Sequence, residues 1–583
     1  MIARIAVASA VFSMDKPFDY RIPDSLTLQP GQRVRVPFGA SNRRTEGIVL
    51  ALAPIGAYEK LKPISEVLDE APILTQAQIK LALWMHERFF CTVYEAVKAM
   101  LPAGLWFKNG KRRVSDKYVT MAALSVPTEV AAEAAEQKRR RAPQQAELLR
   151  TLCAIGRAAL PDLREFTGAS LQSVRALRDA GFISLEDVPV YRRPETPAGE
   201  RAPLPELNAA QTAAFKGILR RADGKNAAGA LLFGVTGSGK TEVYMEMISR
   251  VISEGKQVIV LIPEIALTYQ TVMRFYGRFG NRVSIINSRL SAGERYDQFE
   301  RARGGDIDIM IGPRSALFTP FSRLGLIIID EEHEGAYKSE VVPRYHARVK
   351  RAQMQNASVV LGSATPSLEA YTKALRGEYR LFSLHTRAKA DSRLADVAVV
   401  DLREELKAGN KSIFSRRLQQ MIGDRLEKKE QIMMFINRRG YANFVSCRSC
   451  GEAIKCPHCD VTLTLHKDNR LVCHYCGYSI PMPDKCPSCG SPYIANFGVG
   501  TQKIEMMTKK MFPQARVLRM DLDTTSKKGG HEEILSAFAE GDADILIGTQ
   551  MIVKGHDFPD VTLVGVLAAD LSLYTPDYRA AER

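Results

Sequence analysis

Long hydrophobic runs are missing from this sequence, and so is a signal peptide. No apolar segment approaches the roughly 20 residues that a transmembrane helix needs. The first residues, Met1–Val7, lack the layout of a secretory signal and are typical of a β-strand. These absences argue against a membrane-embedded or secreted protein, so we expect a cytoplasmic one.

Acidic residues are fewer than basic ones. The 583-residue chain has 65 aspartates and glutamates against 81 lysines and arginines, which gives a formal net charge of +16. Such an excess favours a polyanionic partner, with nucleic acid as the first candidate. The composition is otherwise that of a soluble protein, and the chain is too long for one hydrophobic core. We therefore expect several domains.

Cysteine is nearly absent outside one short block. Eight of the 10 cysteines lie between Cys447 and Cys489, as four Cys-x2-Cys pairs. In a cytoplasmic protein this clustering disfavours disulfides and favours zinc, because each such turn aims two thiolates at one ion and two turns complete a tetrahedron. Four pairs allow three combinations into two closed, structural sites. We favour the nested combination, because its inner pairs have the spacing of a zinc ribbon.

The nested combination assigns four cysteines to each of two Zn²⁺ ions. The first site is formed by Cys447, Cys450, Cys486 and Cys489, and the second by Cys456, Cys459, Cys473 and Cys476. Three histidines of the block, His458, His466 and His474, are then surplus, and we predict that they are surface residues.

A phosphate loop lies near the middle of the chain. Its pattern, G-x-x-x-x-G-K-[ST], is matched by Gly234, Val235, Thr236, Gly237, Ser238, Gly239, Lys240 and Thr241. An apolar run at 230–233 precedes it and an amphipathic segment at 242–251 follows, which is the order strand, loop, helix. Lys240 is expected to reach the β- and γ-phosphates of ATP, and the Thr241 hydroxyl to bind Mg²⁺.

A second NTPase signature follows about ninety residues later. The apolar run Leu326–Ile329 predicts a central strand that ends at Asp330, Glu331, Glu332 and His333. Asp330 is expected to hold Mg²⁺, and Glu331 to polarise the attacking water as a general base. A buried strand that ends in this way after a phosphate loop indicates an NTPase motor.

Other polar residues are candidates for coupling and for ATP recognition. Ser363 and Thr365 follow a predicted strand in a Ser-Ala-Thr arrangement typical of helicases, and we expect them, with Glu332 and His333, to couple hydrolysis to strand movement. Gln211 lies upstream of the phosphate loop, where its amide can read an adenine edge.

Single-stranded DNA contacts are predicted at strand ends and in one aromatic-basic segment. Thr268 and Arg314 follow predicted strands of a parallel sheet, where ligands bind. The candidates of the aromatic-basic segment combine rings for base stacking with charges for phosphates: Tyr337, Lys338, Arg344 and Tyr345. A packed loop is the alternative for this segment.

Composition shifts divide the chain into units. These are a small β-rich domain over 1–105, a basic linker over 106–142, a winged helix over 143–188, a proline-rich linker over 189–206, a first motor lobe over 207–395, a second lobe over 396–445 and 491–583, and the zinc-binding insert over 446–490. In the first domain a helical pattern runs from Thr75 to Met100. In the second lobe we predict strands at 431–436, 498–502, 517–521 and 543–548.

Together the motifs resemble those of superfamily 2 helicases. Pro263–Thr268, Asn437–Gly440, Ile547–Met551 and the cysteine block are similar to motifs of one bacterial family, the PriA (primosomal protein N′) replication-restart helicases. The resemblance implies a multidomain α/β fold with two RecA-like parallel lobes. It also implies an ATP-dependent 3′→5′ DNA helicase that recognises stalled or D-loop forks and starts primosome assembly.

The resemblance further implies partners and one more site. The expected partners are forked DNA, single-stranded DNA, other primosome proteins and single-stranded-DNA-binding protein. We expect the protein to be a monomer and to be associated with the nucleoid. The first domain is expected to recognise the 3′ end of a nascent leading strand, through residues at the family's positions: Phe18, Asp19, Gly39 and Lys62.

The family pattern continues past Arg583 into a Gln-x-x-Gly-Arg-x-Gly-Arg motif, which completes its ATP site, and into a further domain. We therefore expect a truncated chain that binds ATP but hydrolyses it poorly. Two alternatives stay open. One is a zinc-bearing, fork-binding scaffold with impaired ATPase activity, and the other is a superfamily 2 duplex DNA translocase.

Overall fold

The structure is a computed structural model of the 583-residue chain. It describes all residues except 55–59, 106, 109–110, 113–117, 190–205, 220–228, 264–268, 289, 347–355, 389–394, 437–443, 467, 497–499, 522, 526–529, 550–551, 553–557, 575–578, 580–581 and 583. Of the helices it describes, none combines the length and the apolar character that a membrane span requires.

The N-terminal unit is an antiparallel sheet followed by two helices. Its elements are β1 (Ile2–Val7), β2 (Phe18–Arg21), β3 (Arg33–Phe38), β4 (Arg43–Ala53), β5 (Glu66–Val67), α1 (Gln76–Phe89) and α2 (Val93–Met100). The strand order is β2-β1-β4-β3-β5. The prediction of one continuous helical pattern to Met100 is wrong at its centre. Phe90 has a left-handed φ of 51°, which ends α1, and Thr92 starts α2 with a capping box.

The second unit packs helices against a three-stranded sheet. Its elements, after the short hairpin β6 (Phe107–Lys108) and β7 (Lys111–Arg112), are β8 (Tyr118–Leu124), α3 (Thr128–Lys138), α4 (Pro143–Ile155), β9 (Arg157–Ala159), α5 (Leu160–Thr167), α6 (Leu171–Asp179) and β10 (Ile183–Pro189). The predicted linker over 106–142 is therefore wrong for 118–138. Strand β8 is central in the order β10-β8-β9, and Ala131 of α3 lies in the same core. The basic runs at 111–113 and 138–141 flank this segment and are typical of a solvated tether, which is why the sequence pattern is misleading here.

The first motor lobe is a parallel sheet covered by helices. It contains α7 (Ala209–Leu219), β11 (Gly229–Gly234), α8 (Lys240–Ser253), β12 (Gln257–Leu261), α9 (Tyr269–Phe279), β13 (Val283–Ile285), α10 (Ala292–Gly304), β14 (Ile309–Gly312), β15 (Leu324–Ile329), β16 (Ser358–Ser363), α11 (Leu368–Leu375) and β17 (Tyr379–Leu384). The seven strands have the order β13-β14-β12-β15-β16-β11-β17. The carboxyl ends of β11, β15 and β16 therefore meet at one edge, where ligands bind in such sheets.

The N-terminal unit and the first lobe share one hydrophobic core. Buried residues of α1 and α2 belong to the same cluster as Phe299 of α10 and Phe318. Gln78 of α1 is fully buried, and its amide nitrogen donates to the Phe318 carbonyl at 3.1 Å. Because burial of this apolar surface stabilises the contact, the N-terminal unit is held against the lobe.

The second lobe carries the cysteine-rich insert. Its elements are α12 (Leu402–Lys407), α13 (Arg416–Glu427), β18 (Gln431–Ile436), β19 (Val445–Cys447), β20 (Thr464–Leu465), β21 (Arg470–Val472), β22 (Ser479–Pro481), β23 (Ile494–Asn496), α14 (Thr501–Met511), β24 (Val517–Met520), α15 (Gly530–Ala539), β25 (Ile545–Gly548) and β26 (Val561–Leu567). The parallel order is β24-β25-β18-β26. The predicted strand at 498–502 is wrong at its end, because Thr501 begins a helix.

Candidate nucleotide, zinc and DNA sites

The phosphate loop joins β11 to α8. Gly237 and Gly239 have left-handed φ values of 77° and 80°. At Gly239 a β-carbon would lie 2.0 Å from the amide nitrogen of Gln211, so only glycine fits this turn. The hydroxyl oxygen of Ser238 is buried and has no hydrogen-bond partner among the residues that the structure describes. Such an orphaned polar atom in the loop fits a site that binds a polar ligand.

Lys240 is positioned by the loop itself. Its Nζ donates to the carbonyl oxygens of Gly234, at 2.7 Å, and Val235, at 3.4 Å. Burial lowers the pKa of Lys240, while the charges of Asp330 and Glu331 raise it. The ammonium group is thus held at the loop by neutral carbonyls, which phosphate oxygens can replace with stronger charged acceptors.

Asp330 ends β15 beside the loop. Burial, helped by the charge of Glu331, raises the pKa of Asp330 to about 6, although Lys240 opposes the shift. The hydroxyl of Tyr244 donates to its Oδ1 at 3.1 Å. A half-buried carboxylate, with the hydroxyl-bearing Thr241 at the start of α8, is a donor set that suits Mg²⁺. These two residues are the ones that would hold the ion.

The Asp-Glu-Glu-His segment contacts the Ser-Ala-Thr loop. His333 Nδ1 lies 2.8 Å from Ser363 Oγ, and that oxygen accepts the backbone N–H of Thr365 at 3.0 Å. Glu332 is buried and accepts both the N–H and the hydroxyl of Ser367, at 3.2 and 2.9 Å. The structure thus brings together all four predicted coupling residues. Their role in coupling stays a prediction.

Gln211 lies under the phosphate loop with both ends of its amide engaged. Its Nε2 donates to the Ser238 carbonyl at 3.0 Å, and its Oε1 accepts the N–H of Asn208 at 2.8 Å. An NH₂ group has two donors and an amide oxygen has two lone pairs, so these bonds leave Gln211 able to read an adenine edge. That role remains a prediction.

One residue of the nucleotide site, Tyr244, was missed from the sequence. Tyr244 holds Asp330, and its hydroxyl would lie 1.6 Å from a β-carbon on Gly362, so the ring links α8 to the Ser-Ala-Thr strand. Glu331 has a left-handed φ of 49°, a strained conformation for a non-glycine residue. The position of Tyr244 one helical turn after Lys240 was the available signal for its contact with the site.

The eight block cysteines form two groups. Within each group, Cys447/Cys450/Cys486/Cys489 and Cys456/Cys459/Cys473/Cys476, the sulfurs lie within 4.8 Å of one another. Cross-pair sulfur distances are 3.6 Å for Cys447–Cys489, 3.7 Å for Cys450–Cys486 and 3.6 Å for Cys456–Cys476. Tetrahedral zinc with bonds of about 2.3 Å requires about 3.8 Å, whereas a disulfide requires about 2 Å. The grouping is the nested one, and it fits structural zinc.

Local backbone geometry explains the cysteine turns. Gly451, Gly477 and Gly490 each follow a pair with φ values of 84°, 77° and 70°. Their N–H groups donate to the carbonyls of the first cysteine of the pair, at 2.8, 2.9 and 2.9 Å. Neither sulfur group includes a histidine among the described residues. His466 and His474 lie at the surface, and their Nε2 atoms are 3.3 Å apart.

Three of the predicted 3′-end residues, Phe18, Gly39 and Lys62, take part in contacts around the end of β3. The Phe18 ring packs edge-on against Phe38, with centroids 5.2 Å apart, and Lys62 donates to the carbonyl of Gly39 at 2.7 Å. Asp19 follows Phe18 on β2 and has a side chain that is 9% exposed. The Asp19 carboxylate lies 3.8 Å from Arg4 Nε, and it points to the opposite face of β2 from the Phe18 ring.

The residues predicted to contact single-stranded DNA differ in their exposure to solvent. Tyr337 and Tyr345 are buried, so neither ring is open to a base in this conformation, whereas Lys338 and Arg344 are exposed. Thr268 lies outside the described residues.

Arg314 packs over the Tyr345 ring, 5.5 Å from its centroid, and donates to the Ala336 carbonyl at 3.1 Å. It borders a cavity of about 1060 Å³ between residues 99–103 and the first lobe. The Tyr337 hydroxyl donates to the Asp330 carbonyl at 2.5 Å, so this segment touches the nucleotide site.

The fold and the nucleotide site define a helicase of the DEAD/DEAH box class, whose sequence profile matches residues 208–374. Two further profiles match: the PriA 3′ DNA-binding domain over 4–102 and the PriA DNA helicase Cys-rich region over 456–481. The chain is 40% identical to the replication restart protein PriA of Bacillus subtilis strain 168, over 100% of this chain and 80% of that protein. It belongs to the PriA family of replication restart proteins.

Other relatives agree with this assignment. The Haemophilus influenzae replication restart protein PriA is 38% identical over 100% of this chain and 78% of its own length. The predicted multidomain α/β fold class is confirmed, with parallel helicase lobes and zinc-type cysteine clusters. Among solved structures, RecG bound to a three-way DNA junction has a TM-score of 0.37 at 17% identity, over 62% of this chain and 38% of that chain. So low a score adds nothing to the assignment.

Proposed function

We propose that the chain is an ATP-dependent 3′→5′ DNA helicase that recognises stalled or D-loop forks and starts primosome assembly for replication restart. The observation that carries the proposal is the core shared by the N-terminal unit and the first lobe. A DNA end held by this unit stays at a fixed place relative to the ATP site. Forked and single-stranded DNA, primosome proteins and single-stranded-DNA-binding protein are the proposed partners.

The proposed motor chemistry uses Mg²⁺ with ATP. Lys240 binds the β- and γ-phosphates, Thr241 and Asp330 hold the ion, and Glu331 orients and deprotonates the attacking water. The contact of His333 with Ser363, at 2.8 Å, supports coupling of ATP hydrolysis to strand movement, because a displacement of one residue changes its hydrogen bond with the other.

The proposed end recognition depends on Asp19. A carboxylate accepts a hydrogen bond from a terminal 3′-hydroxyl, but it repels a terminal 3′-phosphate. In this proposal the ammonium group of Lys62, which donates to the Gly39 carbonyl, balances the charge of the last phosphodiester. The site therefore favours an extendable 3′ end.

Strand separation on labelled forks tests the proposal. Wild type is expected to separate strands, however slowly, only with ATP and faster from a 3′ tail than from a 5′ tail. The Lys240→Ala variant is expected to lose this activity. The Lys256→Ala variant, which changes a lysine of the same lobe that pairs with Glu254, is expected to retain it. ATP-independent separation, or a Lys240→Ala variant as active as wild type, contradicts the proposal. Equal stimulation of ATP hydrolysis by blunt duplex and forks supports the translocase alternative.

A further inference from the structure

A segment after the last strand of the first lobe lies directly against the phosphate loop. Two backbone hydrogen bonds and one from a side chain fasten it. The Leu384 carbonyl accepts the N–H of Val235 at 3.1 Å, and the N–H of Ala388 donates to the Gly237 carbonyl at 2.8 Å. Between them, Arg387 Nε donates to the Thr236 carbonyl at 3.2 Å. The segment thus contacts three consecutive residues of the phosphate loop, 235–237.

This segment and Gln211 approach the loop at the same place. A β-carbon on Gly239 would meet the Gln211 amide at 2.0 Å and the Ala388 methyl at 3.3 Å. A β-carbon on Gly237 would lie 3.4 Å from Arg387 Nε. Two of the loop's glycines are therefore closely covered by side chains from elsewhere in the lobe.

Both Arg387 and Gln211 bond to carbonyl groups of the loop. Gln211 uses the Ser238 carbonyl and Arg387 the Thr236 carbonyl, at 3.0 and 3.2 Å. A phosphate loop presents its N–H groups to the phosphates, so residues that bind its carbonyl groups do not compete with the phosphates for the loop. The predicted adenine reader is one of these two residues.

The chemistry of Arg387 suits a nucleoside. Its Nε is engaged on the loop, which orients the planar guanidinium group, and the side chain is only half-buried. A guanidinium plane stacks on an aromatic base and donates in its own plane to ribose or base acceptors. Lysine has the charge but neither the plane nor the fork of donors.

We propose that Arg387 is a further nucleotide-binding residue, whose guanidinium group contacts the adenosine end of ATP bound at the phosphate loop. The inference rests on the proposed ATP site. It adds a contact to that site from a segment outside the phosphate loop and outside the Asp-Glu-Glu-His and Ser-Ala-Thr motifs. The contact is present in ADP as well as in ATP, because both carry adenosine.

Calorimetric titration of the 583-residue chain with three probes tests this. The probes are ADP, a non-hydrolysable ATP analogue and inorganic tripolyphosphate, each with Mg²⁺. The Arg387→Gln variant is expected to bind both nucleotides about three- to tenfold more weakly, the range for a cation–π contact. Its affinity for tripolyphosphate is expected to stay within about twofold of wild type. Arg387→Lys should lie between wild type and Arg387→Gln.

Arg376→Gln is the matched control, because Arg376 is an exposed arginine just before β17 and away from the loop. It is expected to leave all three affinities within about twofold. Nucleotide affinities of Arg387→Gln within twofold of wild type overturn the inference. An equal loss for tripolyphosphate also overturns it, because Arg387 then supports the loop or the phosphates instead of adenosine.

Lys240→Ala separates this inference from the proposed function. If wild type binds no nucleotide, or Lys240→Ala binds it as well as wild type does, the ATP site itself is wrong. If Lys240→Ala loses nucleotide binding while Arg387→Gln keeps it, only the role of Arg387 is wrong.

Discussion

Asp330 is expected to destabilise the nucleotide-free protein. Its carboxyl group is half-buried, and desolvation raises its pKa from an ordinary 3.8 to about 6 even with Lys240 nearby. Replacing it in an Asp330→Asn variant removes the charge and keeps an oxygen that can accept the Tyr244 hydroxyl. We therefore expect this variant to be more stable than wild type near neutral pH, although it loses its proposed Mg²⁺ ligand.

The magnitude follows from the pKa of Asp330. The difference between 3.8 and about 6 corresponds to roughly 3 kcal/mol of unfolding free energy. Because the folded state holds the proton more tightly, stability falls as pH rises between these values, and the penalty is complete above about pH 7. The gain of Asp330→Asn is thus expected to be roughly 2–3 kcal/mol at pH 8 and about half of that at pH 5.

Urea unfolding without Mg²⁺ and nucleotide tests this expectation. The chain has 2 tryptophans, so a Trp106→Phe background leaves Trp84 of α1, which packs against the core shared with the first lobe, as the fluorescent probe. The matched control is Asp306→Asn, an exposed aspartate of the same lobe, with an expected change within about 0.5 kcal/mol. An Asp330→Asn variant less stable than wild type at pH 8 refutes the reasoning.

Three further predictions concern binding and metal. Mg²⁺-dependent ATP binding should weaken as pH falls through about 6, because Asp330 is then protonated; calorimetry that shows a flat profile contradicts this. Cys473→Ser should lower the zinc content from two ions per chain towards one, whereas His474→Ala should leave two, as measured by native mass spectrometry. His333→Ala should retain ATP affinity but bring the ratio of fork-stimulated to basal hydrolysis towards one, because its contact with Ser363 is lost; an unchanged ratio argues against coupling.

Local patterns predicted the motor well. The phosphate loop lies between a strand and a helix, as predicted. The prediction was possible because an apolar run, a glycine-rich loop and an amphipathic segment follow one another directly in the sequence. The nested cysteine groups were likewise predictable, because each turn is local and only their combination is long-range.

Long-range packing was not predictable in the same way. Residues 118–138 have basic neighbours and weak patterning, so nothing local showed that β8 lies at the centre of the sheet β10-β8-β9. The hydrogen bond from Gln78 to Phe318 joins residues far apart in sequence. The sequence alone does not distinguish a buried glutamine from an exposed one. The same holds for Arg387, whose contact with Thr236 depends on how β17 is placed beside β11.

The most direct test of the central claim is equilibrium binding to two forks that differ only at the leading-strand 3′ end, a hydroxyl or a phosphate. Fluorescence anisotropy with a non-hydrolysable ATP analogue present should show tighter binding to the hydroxyl fork. That preference should be lost in Asp19→Ala and kept in Asp24→Ala, an aspartate beyond the end of β2. Equal affinity of wild type for the two forks contradicts recognition of the 3′ end.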